Sequence, residues 1–214
     1  MKANRTNRYF AALSLCFALL LAQRAQADTF SITVNTSSLL GTSGYLDFQF
    51  NPGNPPSDAA SATITGFTTD GTLTAALPSI GDVSGALPGQ VVINNTQVLN
   101  DYTQGLTYGS FFDVSVNLTI PTVSGTATGG SSFTLDAEDT NFNSLLGSFP
   151  AVEIDLDATT GQPAITNNSG GAASVSESVT PEPSSLWLLG SGFVGLVTAR
   201  RRQIASKGTV RPAN

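Results

Sequence analysis

The chain has no histidine, one cysteine (Cys16) and one tryptophan (Trp187) in 214 residues. Its nine basic residues are confined to the two ends: Lys2, Arg5, Arg8 and Arg24 in front, and Arg200, Arg201, Arg202, Lys207 and Arg211 behind. From Asp28 to Glu182 there are fifteen carboxylates and no basic side chain. Each absence removes a class of function. A Ser or Thr nucleophile has no His or Lys base in this stretch. Phosphate handling lacks a cation, and neither a P-loop nor a dinucleotide fingerprint is present. Zinc and copper lack imidazole and thiolate ligands. A body of net charge −15 repels nucleic acid, which is excluded as a partner. The inventory points away from an enzyme.

What is present at the ends is membrane-directed. A basic start precedes an apolar run from Phe10 to Ala22, and a small-x-small site, Ala25-Gln26-Ala27, follows. That order predicts a signal peptide over 1–27, cut by signal peptidase before Asp28. The run covers about 20 Å at ~1.5 Å per residue, short of the ~30 Å hydrocarbon core. Cys16 lies inside it and leaves with it. At the other end, Pro181-Glu182-Pro183 precedes an apolar, glycine-bearing stretch over 184–199 and then Arg200-Arg201-Arg202. Proline on both sides of Glu182 holds the tripeptide extended. The three arginines predict a cytoplasmic end, with a tail over 204–214 and the body outside.

Pro-Glu-Pro, a short transmembrane helix and an Arg cluster, in that order over 181–203, resemble the PEP-CTERM protein-sorting signal of Gram-negative bacteria. The resemblance implies processing by exosortase, a membrane Cys-His-Arg protease/transpeptidase found in species that make exopolysaccharide. The body is similar to a group of such proteins with no assigned function, through Asn35-Thr36-Ser37-Ser38-Leu39 and Leu46-Asp47-Phe48-Gln49-Phe50-Asn51-Pro52-Gly53.

The body reads as strands. Phe30, Ile32 and Val34 alternate with polar residues, as do Leu46, Phe48 and Phe50, then Phe112 through Ile120, then Val152, Ile154 and Leu156. Period two marks strands with one face in a core. Further strands are expected at Ala62–Thr69, Thr72–Leu77, Gln90–Asn94, Gln97–Tyr102 and Phe133–Ala137, with Asp70-Gly71 as a hairpin turn. Eight to ten strands over 28–158 predict an all-β fold, an antiparallel β-sandwich of jelly-roll type. From 159 to 180, large apolar residues are sparse and Asn, Ser and Gly cluster, predicting a flexible spacer.

Three chemistries survive. No cofactor is required, but calcium fits the oxygen-rich set Asp136, Glu138, Asp139, Glu153, Asp155 and Asp157, because hard cations take such ligands and no Lys or Arg competes. The bland alternative is a solvated acidic face. A carbohydrate-binding module would use Tyr45, Tyr102 and Tyr108. A glycosidase would need two facing carboxylates in a cleft. The leading reading is a structural or interaction protein, passing briefly through the inner membrane to the surface or to an exopolysaccharide, biofilm-type matrix.

Overall fold

The computed structural model describes residues 26–54, 56–120 and 125–179. The signal segment through Ala25 lies outside these residues, and so does everything from Thr180 on: Pro181, Glu182, Pro183, the helix at 184–199, the arginine cluster and the tail. Among the described residues no helix is long and apolar enough to cross a membrane.

Twelve strands form two six-stranded antiparallel sheets. They are β1 (Gln26–Asn35), β2 (Ser43–Pro52), β3 (Ser61–Thr69), β4 (Thr72–Ala76), β5 (Val83–Gly85), β6 (Val91–Asn94), β7 (Asp101–Thr107), β8 (Phe111–Ile120), β9 (Ser131–Asp139), β10 (Val152–Leu156), β11 (Pro163–Asn167) and β12 (Ala173–Val179). One sheet runs β12-β1-β8-β3-β6-β5 and the other β11-β10-β9-β2-β7-β4. Strand β1 pairs with β8, β2 with β7, and β3 with β6. These pairings are the first three rungs of a jelly-roll ribbon wrapped into two layers, while β4 and β5 lie at the edges of different sheets instead of pairing with each other. Strands β9 to β11 then widen one sheet and β12 widens the other.

The predicted alternation explains the layers. Phe30, Ile32, Val34, Phe112, Val114, Val116 and Leu118 point inward from one sheet, and Leu46, Phe48, Phe50, Phe133, Leu135 and Ile154 from the other. All join one apolar cluster. Burying a side chain of this kind contributes about 1.5–3 kcal/mol, so the core holds the fold without ion pairs.

Three expectations need correction, and one strand has no counterpart among them. Strand β7 starts at Asp101, not Gln97, because Asn100 turns inward. Its Nδ2 donates to the carbonyls of Phe50 (3.1 Å) and Gln97 (2.9 Å), and its Oδ1 accepts from Asp82 N. The three-residue β5 is too short to show a period in the sequence. Asp70-Gly71 closes no hairpin: β3 and β4 lie in different sheets, and the turn is the corner between them. The Asp70 carboxylate pins that corner, accepting from Ser110 N (2.8 Å), Ser110 Oγ (2.5 Å) and Phe111 N (3.2 Å).

The predicted spacer at 159–180 instead carries β11 and β12. Strand β12 pairs with β1 over seven positions, from Asp28↔Val179 to Val34↔Ala173. An edge strand needs backbone partners more than large side chains. The small residues Ala172 and Ala173, with Val175, cover the margin of the core.

Acidic face of the second sheet

Strands β9, β2 and β7 lie side by side, and their outward residues are unusually acidic. On β2 these are Tyr45, Asp47, Gln49 and Asn51; on β9, Thr134, Asp136 and Glu138; on β7, Asp101 and Thr103. Register brings them together. Asp47 lies directly opposite Asp136 on β9 and Thr103 on β7. Tyr45 lies opposite Glu138, and Gln49 opposite Asp101, so Glu138 and Asp101 are the diagonal neighbours of Asp47. Four carboxylates from three strands thus share one patch of the face. Like charges placed this way across a sheet oppose pairing.

These acids face outward yet are enclosed: Asp47 is 5% exposed, Asp136 1% and Glu138 6%. The chain leaving β9 turns back along that strand. Leu145 N donates to Ala137 O (2.7 Å) and Ser144 Oγ to Asp136 Oδ1 (3.0 Å). At the tip of this turn Phe142 stacks on Tyr45, with ring centroids 5.1 Å apart and planes within 7°. Phe142 has φ +63°, and it is the one non-glycine residue at positive φ among the described residues. That conformation costs roughly 1–3 kcal/mol. Asp139 holds it: its Oδ1 accepts from Asn141 N (2.7 Å) and Asn143 N (3.0 Å), and its Oδ2 from Asn143 Nδ2 (3.0 Å). From beneath, Tyr108 directs its hydroxyl at the carbonyls of Tyr45 and Glu138. Gly44 lets the Tyr108 ring in, since a Cβ there would meet the Glu138 carbonyl and the ring edge.

Burial shifts the titrations. Asp47 is pushed up to about 8, first by loss of solvent and then by the Asp101 charge and carboxyl contact, against a lowering bond from Gln49. Glu138 is pushed up to about 7 by burial and then by the charges of Asp136, Asp101 and Asp139. Asp136 is raised by burial, opposed by its bonds from Ser144 and the Ala137 amide. Asp139 and Asp157 move the other way, each held below the usual carboxylate range by donors of its own turn.

The six acids of the calcium reading part company here. Asp136 and Glu138 join Asp47 and Asp101. Asp139 caps the Phe142 turn, and Asp157 caps its own, accepting from the backbone and hydroxyls of Thr159 and Thr160. Glu153 accepts from Ser132 Oγ at 2.9 Å, and Asp155 is exposed. Among the described residues no group of three or more His, Cys, Asp or Glu is placed to hold a metal ion.

The tyrosines divide similarly. Tyr102 is 2% exposed, its hydroxyl between Leu87 N and Gln104 Oε1, and Tyr108 is 2% exposed. Both are core residues, which removes them from any sugar-binding surface. Of the three, only Tyr45 reaches the outer face, and there Phe142 covers it. Asp47 and Asp101 escaped sequence reading because nothing local shows that β2 and β7 pair.

Comparison with known proteins finds one family, described as the PEP-CTERM protein-sorting motif, matching residues 179–202. The match contains Pro181, Glu182, Pro183 and Arg200 to Arg202, and it begins at the last residue of β12. Such a motif marks an exported protein sorted at the membrane by exosortase. No curated protein and no solved structure matches the chain.

Proposed function

We propose that this exported, exosortase-sorted protein is a non-catalytic structural or interaction component of the cell surface or extracellular matrix. In this reading signal peptidase cuts after Ala27. The helix at 184–199 holds the protein in the inner membrane, exosortase cuts at or near Pro181-Glu182-Pro183, and the sandwich passes to an exopolysaccharide matrix. The observation that carries it is the sorting motif starting where β12 ends, which makes the whole sandwich the cargo. The closed character of the acidic face agrees with it. With Asp47, Asp136 and Glu138 each under a tenth exposed, a glycosidic bond has no approach to a carboxylate pair there.

Carbohydrate contact is the second reading, favoured by one observation. Phe142 is 55% exposed and held in strained backbone by Asp139 between two exposed asparagines. Its free ring face and Asn141 and Asn143 are the pieces a neutral sugar uses. Each reading has its own test. Intact mass spectrometry of the protein from its native host should show both ends removed, and Glu182→Ala should retain the C-terminal segment. A wild-type mass extending to Asn214 would refute the sorting scheme. Glycan binding lost in Phe142→Ala would establish the second.

A further inference from the structure

Asp47 has a buried oxygen without a donor. Its Oδ2 accepts from Gln49 Nε2 at 2.7 Å, but its Oδ1 has no hydrogen-bond partner. Every titratable group beside it on the neighbouring strands is another acid: Asp101 from β7, and Asp136 and Glu138 from β9. Its own strand supplies only Gln49 and Tyr45. No cation comes from any of these elements, since the body contains none. An ionised, enclosed carboxylate with an orphan oxygen among like charges is among the costliest arrangements a fold can hold. A metal ion would relieve it, but the acids are not placed around one. A single hydrogen relieves it just as well, because a protonated carboxyl donates where an ionised one only accepts. Asp101 lies within hydrogen-bonding reach of Asp47 and is itself fixed by Thr103 Oγ1 on its Oδ1 at 3.0 Å.

We propose that Asp47 and Asp101 form a proton-binding site, in which a neutral Asp47 donates its carboxyl hydrogen to an ionised Asp101 and so ties β2 to β7 outside the core. The proton comes from solvent and returns to it as base is added. No other bond forms or breaks. Losing it adds a full negative charge beside Asp101 and Glu138. The pair then repels across the β2–β7 ladder, in the sheet that also carries the Tyr45–Phe142 stack. The site is independent of the sorting reading, because it lies within the sandwich.

The test is carbon-13 NMR of the Asp and Glu carboxyls of the sorted protein from pH 5 to 10, with melting curves of wild type and Asp47→Asn over the same range. Asp47 should titrate near 8 instead of near 4. The amide of Asp47→Asn supplies the missing donor at every pH, so this variant should keep the wild-type melting temperature at pH 6 and lose less of it at pH 9. An Asp47 carboxyl already ionised at pH 6 would overturn the proposal, and the wild-type spectrum decides this even if the variant fails to fold. So would millimolar calcium raising the melting temperature of wild type but not of Asp47→Asn, because the occupant would then be a metal ion.

Discussion

The hydroxyl of Tyr108 lies 2.6 Å from the carbonyl oxygen of Tyr45 and 3.0 Å from that of Glu138. One side chain from the loop after β7 thus serves backbone acceptors of two neighbouring strands, β2 and β9, at the point where the acidic face begins. Tyr108→Phe keeps the packing and leaves both carbonyls without this donor. The expected loss is about 2 kcal/mol, or roughly 4–8 °C in melting temperature. Tyr45→Phe, whose backbone is unchanged, should cost far less. Equal melting of Tyr108→Phe and wild type would show that the hydroxyl contributes nothing.

Stability should pass through a maximum at mildly acidic pH. Asp47, Glu138 and Asp136 have folded-state pKa values above their unfolded ones. The folded state therefore binds more protons than the unfolded one from about pH 4 upward, and stability falls as pH rises through 7 and 8. Asp70, Asp139 and Asp157 are lowered by hydrogen-bond donors, so their contribution is present above about pH 4 and disappears below it. Thermal unfolding from pH 3 to 9 should give a dome centred near pH 4–5. A curve rising steadily to pH 9 would contradict the assigned burial of Asp47 and Glu138.

Truncation separates strand from linker. A chain ending at Val179 should melt as the wild-type body does. A chain ending at Ala172 should melt several degrees lower and associate more readily, because the edge of β1 loses its seven-position ladder and becomes open to other strands. Identical melting of the two would mean that 173–179 adds nothing to the sheet.

Gly44→Ala tests the seat of Tyr108. The added methyl would press on the Glu138 carbonyl and the Tyr108 ring, and only movement of β2 away from β9 can relieve it. A loss of about 2 kcal/mol or more is expected, as for other overpacked sites. A neutral outcome in denaturant melts would show that the strands have slack there.

The sandwich was legible because its inward faces repeat with period two. Phe112 through Ile120 reads as a strand whatever surrounds it. What sequence could not supply was register. Asp136 and Glu138 stood out as oxygen donors, but their true neighbours, Asp47 and Asp101, come from strands 89 and 35 residues earlier, counting from Asp136. Tyr102 and Tyr108 looked like surface aromatics because a hydroxyl satisfied by buried backbone leaves no trace in composition. Ala173 to Val179 reads as linker because its residues are small, although its ladder depends on backbone groups common to all of them.

The pairing of Asp28 with Val179 puts the beginning and end of the sandwich at one pole. Thr36, Asp70 and Ser110 meet at the opposite pole, about 23 Å away along β1 at ~3.3 Å per residue. An epitope inserted between Leu40 and Thr42 would therefore stand at the pole away from Asp28 and Val179, whereas a fluorescent fusion placed ahead of Asp28 would crowd the chain where it leaves β12.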